Sequence, residues 1–297
     1  MKPIEGDSVK KSYQKTLRRG PEGIHYKHDL GQNFLYDEAL LNRLVESTGV
    51  GPQDGVLEIG PGAGTLTKAL LKHCGRVVAV EADHDILPFL RAAVGTDPRL
   101  TIVEGDIRKV NLREICAPLG ENFHVIANIP YSITQTILLM LWESGLPIRQ
   151  ICVMVQKEVA QKLLAQPGEE DYALLSLKCA YYTRPEWLET VPAEAFTPPP
   201  KVDSAFVRME TRREPPAPVK DEKLLWRIIR DAFNQRRKTL VNALKGTVDT
   251  PRLQAVLREM DLSPTVRGET LTVEQWIDLA NRLTECREAS GKEDDRP

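Results

Sequence analysis

Between Gly55 and Val155, short apolar runs rich in β-branched residues alternate with segments of helix length, and this rhythm limits the fold more than any other feature. Gly55–Ile59, Arg76–Val80, Leu100–Val103, Phe123–Ala127 and Gln150–Val155 read as strands. Leu66–Cys74, Asp85–Val94 and Ile133–Ser144 read as helices, preceded by a helix over Asp37–Thr48 with Asp37 as its N-cap. Strands that are apolar along their whole length are covered on both faces, which is the condition of a parallel sheet with crossover helices. The pattern therefore predicts an α/β fold built on a doubly wound, mostly parallel sheet.

The rhythm stops after Arg184. Eight prolines fall between Pro185 and Pro218, with strand-like pieces at Trp187–Val191 and Ala205–Met209. From Asp221 the pattern is helical, over Leu224–Ala243, Pro251–Met260 and Thr272–Leu283. The expected organisation is a loosely ordered polar arm over residues 1–24, a sheet domain over 25–212, a small all-helical domain over 213–285 and a disordered tail over 286–297.

At 41% hydrophobic and 28% charged, the chain has the composition of a soluble globular protein. The longest apolar stretch, Ile137–Trp142, is far too short to span a bilayer. No apolar segment follows the basic residues of the amino terminus, so neither a secretory signal nor a transit peptide is expected. The five cysteines include no C-x-x-C, and the histidines form no ligand cluster beyond His25 and His28. No metal site and no disulfide framework are expected, and a reducing cytoplasm is the expected compartment. A monomer is the expected state. Lys and Arg total 40 against 42 Asp and Glu, so any binding of nucleic acid must come from a local patch. One such patch exists. Lys223 to Lys245 holds seven basic residues against the single Asp231, peaking at Arg236, Arg237 and Lys238. Phosphate neutralisation is its natural use, and a solvated helix face is the alternative.

In VLEIGPGAGTLTKAL, Gly60, Gly62 and Gly64 stand between the first strand and the following helix, where a backbone without Cβ atoms can turn sharply against a ligand. Glu81 ends the next strand, 21 residues after Gly60, where a carboxylate can accept from both hydroxyls of a ribose. The acidic lead Glu58 and the sequence EIGPGAG depart from the dinucleotide fingerprint and resemble the S-adenosylmethionine loop of class I methyltransferases. An acid suits a sulfonium cation better than it suits a pyrophosphate. Asp106, in the turn Gly105-Asp106-Ile107, is expected beside the adenine ring as acceptor for its exocyclic amine; a loop cap is the alternative.

Asn128-Ile129-Pro130-Tyr131 follows the fourth strand and matches the loop of methyltransferases that act on planar amino nitrogens. The exocyclic amine of adenine is a poor nucleophile because its lone pair is delocalised into the ring. An Asn128 side-chain oxygen and the Ile129 carbonyl can each accept one of its N–H groups, drawing the nitrogen toward tetrahedral geometry. Pro130 fixes the turn, and Tyr131 offers a face for an extruded base. No strong base is needed, so catalysis rests on positioning and on polar groups already in place.

With these motifs the chain resembles the ribosomal RNA adenine N6,N6-dimethyltransferase family, small-subunit type, from about His28 to Leu283. The specific pieces are LGQNFL (Leu30–Leu35), EIGPGAG, NIPY, FTPPPKVDSAFVRM (Phe196–Met209) and FNQRRKTLVNAL (Phe233–Leu244). The resemblance implies a class I, Rossmann-like methyltransferase sheet domain with S-adenosylmethionine as cofactor. It further implies that Asn33 and Leu35 close over the methionine end of the cofactor, and that Phe196 sandwiches the target base opposite Tyr131, with core packing as the alternative for Phe196. The implied reaction is dimethylation of two adjacent adenines in a terminal hairpin loop of small-subunit rRNA, on an immature small ribosomal subunit. Competing readings are an Erm-type large-subunit rRNA methyltransferase, a DNA adenine methyltransferase and a non-enzymatic assembly factor. The first would not be expected to carry FTPPPKVDSAFVRM and FNQRRKTL, and the second needs a larger recognition domain.

Overall fold

A computed structural model describes residues 33–291, with side chains to Glu285. The arm expected over 1–24, Leu30–Gln32 of the LGQNFL motif and residues 292–297 lie outside the described residues. The described chain opens with the two-residue strand β1 (Phe34–Leu35) and helix α1 (Glu38–Thr48). Asp37 caps α1 as expected, its carboxylate accepting from the Leu40 N–H at 3.0 Å, and Gly49 at φ 73° ends it. Then come β2 (Gly55–Ile59), α2 (Thr65–His73), β3 (Arg76–Glu81), α3 (Leu87–Val94), β4 (Leu100–Glu104), α4 (Leu112–Cys116), β5 (Phe123–Asn128), α5 (Thr134–Glu143) and β6 (Ile148–Gln156). After α6 (Lys157–Leu164) and α7 (Leu174–Tyr182) follow β7 (Thr183–Val191), β8 (Phe196–Thr197) and β9 (Ser204–Thr211). The chain continues through α8 (Glu222–Asn234), α9 (Leu240–Ala243), α10 (Thr250–Glu259) and α11 (Val273–Gly291).

Seven strands form one sheet in the order β4-β3-β2-β5-β6-β9-β7. The five strands from β4 to β6 run parallel and β9 runs antiparallel to β6. From β2 the chain winds outward through β3 to β4, then returns to β5 on the other side. The carboxyl ends of β2 and β5 therefore flank the switch point, where open α/β sheets hold their ligands. Leu40, Leu44, Val56, Leu70, Val77, Ile126, Cys152 and Phe206 belong to one apolar cluster that packs α1 and α2 on this sheet.

The described residues separate into two compact units, one of 33–160 with 185–211, the other of 161–184 with 212–291. The expected sheet domain of 25–212 thus includes a segment, 161–184, that belongs to the helical unit. The cause is packing: Tyr172, Leu177 and Tyr181 share a core with Ile228, Ile229, Leu257 and Trp276. The helix expected over Leu224–Ala243 is two helices. Between them the backbone turns, with the Gln235 side-chain Nε2 donating to the Ala243 carbonyl at 2.9 Å and the Leu240 backbone N–H to the Val266 carbonyl at 2.7 Å. These bonds replace the helical ladder, so the break leaves those groups satisfied. Helix α11 runs six residues into the segment expected as a disordered tail, to Gly291. Among the described residues no helix is long and apolar enough to cross a membrane.

Candidate active site

A cavity of about 300 Å³ opens at the switch point, and its lining brings together Gly60, Gly62, Glu81, Asp106 and the tetrad Asn128-Ile129-Pro130-Tyr131. Asn33 and Leu35 reach it from the amino-terminal side. Residues separated by nearly a hundred positions thus meet because every strand end involved lies at one edge of the sheet.

The glycine turn is built for close approach. Gly60 and Gly62 sit at φ 69° and 55°, a region that costs a non-glycine residue. A Cβ on Gly62 would lie 2.5 Å from Cε1 of Phe34, so the ring of β1 rests directly on the turn. Phe34 lines the cavity and stacks on Tyr36 at 6.1 Å, a wall that reasoning from Asn33 and Leu35 alone passes over.

Glu81 is 7% exposed, and its two carboxylate oxygens accept from the N–H groups of Gly62 at 2.9 Å and Asp83 at 2.8 Å. Burial raises its pKa, while the N–H bonds from Asp83 and Gly62 pull it back down. Each oxygen keeps a lone pair for a further donor, as two adjacent hydroxyls require. Glu58 behaves otherwise. It has no exposed surface, does not line the cavity, and its pKa is pushed up to about 8, chiefly by burial, with the neighbouring Thr67 hydroxyl lowering it and Glu81 raising it further. The expectation that this acid faces a cation is overturned: Glu58 lies buried on β2 away from the cavity, where burial favours its protonated form.

Asp106 lies at the cavity with Arg108, which the sequence reading passed over. The Arg108 guanidinium grips both Asp106 oxygens, from Nε at 2.9 and 3.1 Å and from Nη2 at 2.6 Å. That hydrogen-bonded cation holds the Asp106 carboxyl down at about 2. Asp106 is an acceptor at every physiological pH, and a base amine approaching it meets an Arg108 side chain already in place.

At Asn128 the orientation is fixed by a partner that the sequence does not reveal. Its Nδ2 donates to the backbone carbonyl of Asn33 at 2.8 Å. A carbonyl can face only the nitrogen of an amide, so the Asn128 oxygen is the atom left for the cavity. No described N–H donates to the Ile129 carbonyl either. Two acceptors therefore stand side by side with no donor among the described residues. Tyr131 forms the next part of the wall, its hydroxyl 2.5 Å from Oγ of Ser204 at the start of β9. Burial raises the Tyr131 pKa, so it stays a neutral phenol.

The segment carrying Asn33 and Leu35 is pinned at three places: the Asn128 amide, the Thr65 hydroxyl donating to the Leu35 carbonyl at 2.8 Å, and antiparallel pairing of β1 with β8. In that pairing Leu35 lies opposite Phe196. Phe196 is 0% exposed, sits in the apolar cluster beneath the sheet's helices and does not line the cavity. Its expected role as a base sandwich is overturned in favour of core packing, because β8 turns the ring inward.

The basic peak divides as well. Arg236 donates through Nε to the Glu269 carboxylate and through Nη2 to the Glu169 carbonyl at 3.1 Å, so it ties the helical unit together. Arg237 and Lys238 are exposed in the turn between α8 and α9. No group of three or more His, Cys, Asp or Glu residues is placed to hold a metal ion among the described residues.

Comparison with known proteins gives this geometry a lineage. Residues 23–285 match the family described as ribosomal RNA adenine dimethylase. The chain belongs to that family. Its similar relatives include a protein of Bacillus cytotoxicus called ribosomal RNA small subunit methyltransferase A, 42% identical over 269 residues, 88% of this chain and 92% of the relative. A Bacillus mycoides protein of the same description is 40% identical over the same shares. Among solved structures, a dimethyladenosine transferase from Plasmodium falciparum superposes with a TM-score of 0.73 at 22% identity, covering 85% of this chain and 98% of that one. The 23S rRNA methyltransferase ErmE gives 0.65 at 28% identity, covering 85% of this chain and 100% of its own. The seven-stranded sheet with its cavity at the switch point is thus a methyltransferase fold of the adenine dimethylase family.

Proposed function

We propose that this chain transfers methyl groups from S-adenosylmethionine to N6 of adenine in small-subunit rRNA, twice on each of two adjacent adenines in a terminal hairpin loop. The observation that carries the reading is the Asn128 amide clamped by the Asn33 carbonyl, which presents an acceptor pair at the mouth of a glycine-walled cavity. When bound, the cofactor supplies a methyl group on a cationic sulfur, which needs no metal and no strong base. Its fit rests on the Gly62 turn, where a Cβ has no room, and on Glu81, whose oxygens are held for two hydroxyls. Asp106 accepts from the cofactor's base, and the segment at Asn33 and Leu35 covers its amino-acid end.

The Asn128 oxygen and the Ile129 carbonyl take the two N–H groups of the target amine and hold its lone pair toward the methyl group. Pro130 keeps the carbonyl aimed and Tyr131 stacks on the base. Once one methyl is on, a single N–H remains and either acceptor suffices to hold it, which permits a second transfer at the same site. The exposed Arg237 and Lys238 contact RNA phosphates. The partner is an immature small subunit in the cytoplasm, in keeping with relatives named for small-subunit methylation.

The similarity to ErmE makes large-subunit RNA the competing substrate. Incubation with methyl-labelled cofactor and an equimolar mixture of unmethylated small-subunit particles and large-subunit RNA decides between them. Label is expected in small-subunit RNA at least tenfold over large-subunit RNA. The reverse partition overturns the assignment, and label in neither, with tight binding to small subunits, favours the assembly factor.

A further inference from the structure

The exposed face of α8 carries a line of basic residues. Lys223, Arg227, Arg230 and Asn234 are all exposed, and their spacing of four, three and four residues places them in one line along the helix. Opposite them Leu225, Ile228, Ile229 and Ala232 are buried, so the helix has one dry and one basic side. Several other cations of the unit are paired. Lys220 pairs with Glu285, Arg236 and Arg267 with Glu269, and Arg282 with Asp278 and Glu259.

The acids nearest the line make hydrogen bonds to other groups. Asp221 accepts the Leu224 N–H at 2.9 Å as N-cap, Glu222 accepts from Trp226 Nε1 at 3.1 Å, and Asp231 takes the Thr247 hydroxyl at 2.5 Å. Lys223, Arg227 and Arg230 have no carboxylate partner among the described residues. Three exposed cations set a turn apart repel one another modestly, and a polyanion laid along the helix converts that repulsion into attraction. Helix rise puts successive members about 4.5–6 Å apart, a spacing suited to successive phosphates of one strand.

We infer that the Lys223-Arg227-Arg230 face of α8 is a docking surface for the phosphodiester backbone of structured RNA, distinct from the Arg237-Lys238 turn that follows the helix. The inference rests on the rRNA substrate proposed above and adds the surface that grips it away from the reacting base. The face reads no sequence, because it offers charge and no cleft for a base edge.

The test uses the full chain with Lys223→Gln, Arg227→Gln and Arg230→Gln combined. All three side chains are exposed, so cofactor affinity and thermal unfolding are expected to match the wild type. Binding to deproteinised small-subunit rRNA and to intact small subunits is measured across a salt series. The variant is expected to flatten the slope of log affinity against log salt by about two to three units for both. An unchanged slope against a steep wild-type slope overturns the inference and leaves the substrate reading intact. Weakened binding to intact subunits only, with RNA binding unchanged, also overturns it, in favour of a ribosomal protein partner. A wild type that binds neither with any salt dependence overturns the substrate reading and this surface with it.

Discussion

Asn128→Ala is expected to slow single-turnover methylation of adenine by about two orders of magnitude, the scale of losing one preorganised polar partner at a centre where charge develops. Affinity for RNA and for cofactor should change far less, because the amide oxygen acts on an amine that is only partly pyramidal before reaction. The contact to Asn33 makes a sharper version possible. A carboxylate accepts an N–H as well as an amide does, so Asn128→Asp would retain activity if acceptance were all that mattered. In this structure the second atom of the side chain faces the Asn33 carbonyl at 2.8 Å. An aspartate there loses the donor and sets two acceptors against each other. Asn128→Asp is therefore expected to fall with the alanine variant in rapid-mixing assays of one turnover. An aspartate variant at the wild-type rate would mean that the Asn33 clamp does not orient the amide.

Glu58→Gln should have its largest effect on stability, and the effect depends on pH. The carboxyl of Glu58 has its pKa raised to about 8 in the fold, chiefly by burial, from an ordinary value of 4.5. Below the ordinary value both folded and unfolded chains carry the proton and ionisation of Glu58 adds no cost. Between the two values the unfolded chain has released its proton while the folded chain retains it, so stability falls as pH rises, by about 1.4 kcal/mol per unit. Above pH 8 both are ionised and the full cost, several kcal/mol, is in place. Glutamine does not titrate. The stability of Glu58→Gln relative to wild type should therefore climb steadily from pH 5 to pH 8 and level off above, in urea unfolding at each pH. A relative stability flat over that range would show that Glu58 is ionised in the native protein.

Much of this site is visible in the chain itself, for a reason. Glycines at positive φ, an acid at a strand end and a proline-locked turn are local requirements, so Gly60, Gly62, Glu81 and the Asn128–Tyr131 tetrad can be read without coordinates. The strand rhythm likewise reflects burial on both faces, which all residues of β2, β3 and β5 report except Arg76 and Asn128 at strand ends. What depends on a distant partner is not readable. The acceptor that orients Asn128 is a backbone carbonyl, which every residue has, and it is brought there by β1 pairing with β8. The same pairing turns Phe196 inward, where the family resemblance implied a sandwich of the target base. Arg236 looks like its neighbours Arg237 and Lys238 until Glu269 appears beside it. Helix α7 hides for another reason: LLSLKCAYY is apolar around most of its circumference, so it shows no helical period.

The most direct measurement of the central claim is the nucleoside composition of small-subunit rRNA after reaction with this protein and S-adenosylmethionine. Digestion to nucleosides and mass spectrometry should give N6,N6-dimethyladenosine, approaching two per RNA, with N6-monomethyladenosine only as a transient, and neither with Asn128→Ala in the same time. Methyl groups found on another base or on the ribose, or adenine that stops at one methyl, would contradict it.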